Sequence, residues 1–209
     1  MAKLIFKYST MNSGKSIDLI RTVYNYIENS CRVLVMKPMV DSKGADCVET
    51  RIGLKRKVDF LIGEDDSIFD LLRGKLKNIK CIFIDEVQFL SRSQIDELFI
   101  ITKVMDVPIL CYGLRNDFRM ESFPGSMRLL EIADILEEFK TLCYCGEVAR
   151  YVGRKVNGEF VLEGESIVID GTENVDYVPL CGCHYLSDVK GMNFLEIKKK
   201  LDWLNYIFI

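Results

Sequence analysis

The chain predicts an α/β fold, a parallel sheet with helices on both faces and a small β-rich appendage, on three observations. Over the first two thirds, short β-prone runs alternate with stretches of helical period. Those runs are apolar throughout, as strands covered on both sides are. Near residue 142 the texture changes to closely spaced cysteines and Gly-containing turns. With 209 residues, 49% of them hydrophobic, there is material for one full core and a minor addition, but not for two large domains.

Taken in order, residues 4–8 read as the first strand, followed by a helix marked by Ile20, Val23, Tyr24 and Ile27. Residues 32–36, 81–84 and 108–112 read as further buried strands, and Ser93 with Asp96 opens a helix carrying Ile95, Leu98 and Phe99. Strands joined through helices lie parallel, with helices on both sheet faces. Beyond residue 142, runs 160–162 and 167–169 are separated by Asn157-Gly158, Glu163-Gly164 and Asp170-Gly171, which are hairpin signals. After Lys190, the residues Leu195, Ile197, Leu201 and Leu204 predict a closing helix whose Lys198 to Lys200 run is a solvated face. The expected division is a nucleotide-binding α/β domain over 1–141, a metal-bearing appendage over 142–190, and a helix and tail over 191–209.

Twenty-eight Lys and Arg against 31 Asp and Glu leave a formal charge of -3, so no positive field draws in nucleic acid, and a small-molecule substrate is expected. The apolar start MAKLIF is too short for a signal peptide, so the eight cysteines are read as reduced and the chain as cytoplasmic. No apolar run approaches the roughly 20 residues of a membrane span.

Ser9-Thr10-Met11-Asn12-Ser13-Gly14-Lys15-Ser16 follows a predicted strand and opens a predicted helix, the setting of a phosphate-binding loop. In that reading Gly14 lets the backbone approach the phosphates of ATP, main-chain N–H groups and the helix N-terminus bind the anion, Lys15 reaches the β and γ oxygens, and Ser16 ligates Mg²⁺. Ser9 stands where the general pattern has glycine. At the end of the apolar run 81–84 come Asp85 and Glu86. A carboxylate on a buried strand end needs a cation, which assigns Asp85 to Mg²⁺ or its water shell. Glu86 is the candidate acceptor of a proton from an attacking hydroxyl. Cys143 and Cys145 with Cys181 and His184 form an S₃N set suited to tetrahedral, structural Zn²⁺, with Cys183 open as a substitute ligand.

The segments YSTMNSGKS (8–16), DEVQF (85–89), YGLRNDF (112–118), CYCG and CGCHY together resemble the class II, bacterial-type, zinc-containing thymidine kinase family, from about residue 2 to 190. The resemblance implies a P-loop (RecA-like) sheet with a zinc-bearing lasso, and transfer of the ATP γ-phosphoryl to the 5′-hydroxyl of thymidine or deoxyuridine in deoxynucleotide salvage. Glu86 would be the general base and Asp41 a second Mg²⁺-associated carboxylate. Asp85, Val87 and Gln88 would join residues 9–16 around the nucleotide, with Gln88 and Phe89 just behind the base. Met11, Leu114 and Phe118 would line the thymine pocket, with Tyr177 approaching from the lasso and the main chain at Val168, Ile169 and Asp170 reading the pyrimidine. A homotetramer with feedback by thymidine triphosphate is implied as well.

The chain departs from the family at Lys43, where many relatives have arginine, and at Asp170, where they have glycine. Ordinary packing is the other reading of Met11, Leu114 and Phe118. Arg115 and Arg119 read equally as phosphate ligands or surface charges. Two other functions fit the motifs: a zinc-ribbon ATPase acting on nucleic acid, which the acidic balance disfavours, and a nucleotide sensor without turnover, which Lys15, Asp85 and Glu86 disfavour.

Overall fold

A computed structural model of the chain describes residues 1–39, 46–164 and 174–201. Strand β1 (Leu4–Ser9) leads through the phosphate loop into α1 (Lys15–Glu28) and then β2 (Arg32–Pro38). A small antiparallel hairpin, β3 (Cys47–Glu49) with β4 (Lys55–Lys57), precedes β5 (Phe60–Ile62) and α2 (Ile68–Leu72). Strand β6 (Ile79–Ile84) runs into a 3₁₀ turn at Val87–Phe89, then come α3 (Arg92–Val104), β7 (Ile109–Leu114), α4 (Pro124–Ile132) and β8 (Ile135–Glu138). These strands form one sheet in the order β5-β2-β6-β7-β1-β8, with every pairing parallel.

Alternation along the strands explains why they are apolar throughout. In β2, Leu34 and Met36 enter the core under α3, with Ile82, Ile84, Ile95 and Leu98, while Val33 and Val35 face the other side with Phe83, Tyr112 and the α1 residues Leu19 and Val23. The strand centres fall where the sequence predicts them, and the edge strands β5 and β8 are additional. Helix α1 differs from expectation: Leu19 and Val23 are buried, whereas Tyr24 and Ile27 are 58% and 48% exposed. Its inward stripe is set by Lys15, at the start of the helix and buried, and recurs every four residues from there. Helix α3 begins two residues earlier than predicted, with Ser91 as N-cap in a reciprocal capping box with Gln94.

The remainder is β-rich, as expected: β9 (Thr141–Leu142) pairs with β10 (Val148–Ala149), and β11 (Tyr151–Val156) lies between β12 (Glu159–Val161) and β13 (Val175–Leu180), all antiparallel. Asn157 and Gly158 connect β11 to β12 with φ of 53° and 86°, the left-handed pair that a two-residue hairpin turn demands. A short helix α5 (Gly182–His184), a wide turn at Tyr185–Val189 and α6 (Phe194–Leu201) follow. Leu195 and Leu201 on α6 are exposed. The run 167–169, the turn at Asp170-Gly171 and Leu204 lie outside the described residues.

Candidate active site and metal centre

Parallel strands deliver their loops to one edge, and at this edge the carboxyl ends of β1, β2, β6 and β7 bring the predicted chemistry together. After Ser9 the chain turns through Thr10, Met11, Asn12 and Ser13 to Gly14, whose φ of 81° places it in the left-handed region. A side chain at Gly14 would meet nothing within 4 Å, so backbone conformation and not crowding calls for glycine. Lys15 folds back over the loop: its ammonium donates to the Thr10 carbonyl at 2.8 Å, to Ser9 Oγ at 3.2 Å and to Ser13 Oγ at 3.3 Å. The Ser9 and Ser13 hydroxyls are bonded to each other. Serine in place of glycine thus supplies an acceptor that holds the lysine. Burial lowers the pKa of Lys15, and the negative charges of Glu86 and Asp85 oppose that shift, so ammonium and carboxylates share one electrostatic environment.

Asp85 is buried at the end of β6, with its N–H bonded to the Met36 carbonyl at 3.0 Å. Burial and the adjacent Glu86 charge push its pKa up to about 8, against Lys15, the Glu86 N–H and Lys37. A cation beside this carboxylate would offset its burial, and Ser16 stands at the second position of α1, so the donors fit a hard, oxygen-liking ion such as Mg²⁺. Glu86 adopts φ 50° and ψ 37°, left-handed for a residue with a side chain, and turns the chain into the 3₁₀ turn. Val87 is fully buried in the core and Gln88 is 0% exposed, its amide donating to Glu86 Oε2 at 2.6 Å. A cavity of about 430 Å³ opens before Asp85 and Glu86, walled on its other side by Cys47, Glu49, Thr50, Arg51 and Gly53 of the β3–β4 hairpin.

Leu114 ends β7, half-buried, and Phe118 is buried where the sheet meets the appendage. The Phe118 ring carries the Arg154 guanidinium of β11 at 4.2 Å from its centroid, and the Phe118 carbonyl accepts from Tyr185 Oη at 2.6 Å. Tyr177, on β13, stands opposite Arg154 in the register. Arg115 and Arg119 each reach across to the appendage, Arg115 to the Arg150 carbonyl at 3.3 Å and Arg119 to that of Gly164 at 3.4 Å, and Arg119 also pairs with Asp117 at 2.9 Å. Asp41, Val168, Ile169 and Asp170 lie outside the described residues, as does Lys43.

Sequence reasoning passed over Lys37. Its side chain is fully buried near the end of β2, donates to the Cys47 carbonyl at 3.2 Å, and tethers the hairpin that walls the cavity. A lysine among strand residues that are otherwise buried and apolar was the available signal.

In the appendage, Cys143, Cys145, Cys181 and His184 bring their ligand atoms within 4.8 Å of one another. Nδ1 of His184 lies 3.3 Å from the sulfurs of both Cys143 and Cys181, and Cys145 Sγ lies 3.9 Å from Cys181 Sγ. Those spacings approximate the edges of about 3.5–3.8 Å that zinc bond lengths impose on a tetrahedron. Burial alone would raise the Cys143 pKa, but backbone N–H groups of Cys145 and Cys181, His184 and the Cys145 thiol outweigh it and bring the thiol down to about 6, toward the thiolate that a metal binds. Cys183 is exposed and stands apart from this set. The donor set therefore fits Zn²⁺.

A family model described as thymidine kinase matches residues 2–185, across the loop, both carboxylates and the four metal-type ligands. The chain belongs to the thymidine kinase family. The thymidine kinase of Haemophilus influenzae (strain ATCC 51907 / DSM 11121 / KW20 / Rd) is 43% identical over 189 residues, 88% of this chain and 96% of that protein. That of Escherichia coli O157:H7 is 43% identical over 209 residues, 96% and 98% of the two chains. Among solved structures, the Pif1 helicase from Candida albicans matches at 15% identity with a TM-score of 0.38, over 67% of this chain and 36% of its own, too loosely to bear on function. Membership of the thymidine kinase family makes the chain a nucleoside kinase, a transferase. Among the described residues, no helix is long and apolar enough to cross a membrane.

Proposed function

We propose that the chain transfers the γ-phosphoryl of ATP to the 5′-hydroxyl of thymidine, and of deoxyuridine, giving the nucleoside monophosphate. The observation that carries this reading is the convergence of Lys15 with Asp85 and Glu86 on one sheet edge, where both carboxylates act on the buried ammonium. The loop 9–16 cradles the triphosphate, and Lys15 exchanges its contacts with Thr10, Ser9 and Ser13 for phosphate oxygens. Ser16 and Asp85, with Asp41 as a second carboxylate, would hold Mg²⁺, which would neutralise phosphate charge. Val87 and Gln88 complete the nucleotide side from beneath.

Glu86 receives the proton of the sugar hydroxyl as that oxygen attacks. Met11, Leu114 and Phe118 hold the thymine, Tyr177 closes over it, and the main chain at Val168, Ile169 and Asp170 reads its edge. Zn²⁺ at Cys143, Cys145, Cys181 and His184 is structural, because four protein ligands leave no open position. The cellular setting is deoxynucleotide salvage in the cytoplasm by a homotetramer, with no nucleic-acid or membrane partner.

ATP consumption measured against a panel of nucleosides tests the acceptor: stimulation by thymidine and deoxyuridine supports it, and stimulation by DNA instead would overturn it. Glu86→Gln should retain ATP binding while kcat falls by roughly 10²–10⁴, the usual worth of a general base. Near-normal turnover in that variant removes the role of Glu86.

A further inference from the structure

We infer that Gln88 is the positioning residue for the catalytic carboxylate, locking Glu86 to the Leu114 peptide through a buried clamp that Gly113, Gly125 and Ser126 make room for. The inference rests on the reading of Glu86 as general base. The side-chain amide of Gln88 has one orientation: the Leu114 N–H can only donate, so Oε1 accepts it at 3.1 Å, and Nε2 is left facing Glu86 Oε2 at 2.6 Å. Both ends of the amide are therefore engaged, and the Gln88 side chain itself is fully buried.

The next peptide group, whose carbonyl belongs to Leu114, is held as well. Ser126, fully buried on α4, donates its hydroxyl to the Leu114 carbonyl at 2.5 Å. Helix α4 approaches the turn closely enough that a Cβ at Gly125 would come within 2.5 Å of the Val87 carbonyl oxygen and 2.8 Å of that of Leu90. At Gly113 a Cβ would come within 2.6 Å of Gln88 Oε1 and 2.9 Å of Val87 Cγ1. Glycine is needed at both positions for closeness of approach and not for conformation, since neither has a positive φ.

This frame accounts for a backbone that Glu86 would not adopt alone. A left-handed backbone is unfavourable for a residue with a side chain, and it persists where its surroundings over-determine it. Gln88 occupies one carboxylate oxygen and leaves Oε1 for the incoming hydroxyl. It also ties that carboxylate to Leu114, a proposed wall of the thymine pocket, so base and acceptor are placed by the same peptide.

A kinetic double-mutant cycle tests the clamp. Gln88→Met keeps the side-chain length and removes both hydrogen bonds. We expect kcat to fall roughly 10–100-fold, the scale on which misplacing a reacting group by about 1 Å acts. In the Glu86→Gln background the same change should cost almost nothing more, because a residue acting through Glu86 has nothing left to position. Gly113→Ala, which displaces Gln88 without removing a polar atom, should show the same pattern, and it carries the cycle if Gln88→Met fails to fold. Unchanged kcat in the folded single variants, or an equal loss in both backgrounds, overturns the inference while leaving Glu86 as base. A Glu86→Gln enzyme that turns over normally fails the base reading itself, and the inference with it.

Discussion

The sheet edge and the cysteine appendage hold their side chains by opposite means. At the edge, Lys15, Asp85 and Gln88 are polar groups carried by a core that is complete without them, with apolar clusters on both faces of six parallel strands. In the appendage the buried members of the apolar cluster among the described residues are Cys143, Ala149, Leu180, Cys181, Tyr185 and Val189, and two of those six are ligand candidates. A functional group on a self-sufficient core costs stability, whereas a functional group that is the core supplies it. Removing polar chemistry should therefore abolish catalysis at the edge with little loss of fold, and dismantle the fold in the appendage.

Metal removal breaks the comparison most severely. Structural zinc contributes apparent binding free energies of about 10–16 kcal/mol in small zinc domains, as much as the buried side chains of so small a cluster supply together at about 1.5–3 kcal/mol each. Freshly purified protein should contain about one zinc per chain, as four-ligand structural sites do. A strong chelator should expose residues 143–189 to proteolysis while circular dichroism of the parallel sheet persists. Equal protease resistance with and without metal would mean the appendage has its own means of support.

Lys15→Met is the converse case. Its ammonium is buried, and burial lowers its pKa, so the charge is held at a cost. The variant should lose roughly 10²–10³ in kcat/KM, comparable to deleting a charge-stabilising donor, while its Tm stays level or rises. A large drop in Tm would show that the three contacts to Ser9, Thr10 and Ser13 serve the fold more than the phosphates.

What could be read from the sequence follows the same division. Strands β2, β6 and β7 announce themselves because burial on both faces leaves runs that are apolar throughout, and Asp85 stands out where such a run ends. The ligand pairs were legible because Cys143 with Cys145, and Cys181 with His184, are close in sequence and of metal-binding types, although the two pairs meet across 36 residues. The clamp was not: Leu114 and Gln88 are 26 residues apart, and their bond exists only because β6 and β7 are neighbours. Gly113 inside an apolar strand hinted at a close approach without naming the partner. Strand β8 carries exposed Ile135 and Leu136, so its pattern resembles a loop until β1 pairs with it. Tyr24 and Ile27 misled because helical period shows that a stripe exists but not which of two adjacent stripes the sheet takes.

The smallest effect concerns Asp18, which joins α1 to the sheet behind the phosphate loop. Its carboxylate accepts from Lys7 Nζ and Tyr112 Oη at 3.0 Å each and from Arg21 at 2.6 Å. Burial would raise its pKa, but the hydrogen bonds from Lys7, Arg21 and Tyr112 together outweigh burial and hold it below the ordinary value. A carboxylate with a depressed folded-state pKa contributes stability that is complete above the unfolded value of about 3.9 and disappears as pH falls through the folded value. Asp18→Asn should thus cost about 1.5–3 kcal/mol at pH 7, the worth of a hydrogen bond to a charged group, and progressively less below about pH 4. Denaturant midpoints of the two proteins compared from pH 7 downward should converge at the acid end. Midpoints that stay parallel would mean that the neutral amide's shape, and not the lost charge, sets the difference, and that this polar cluster belongs with the packing of the core.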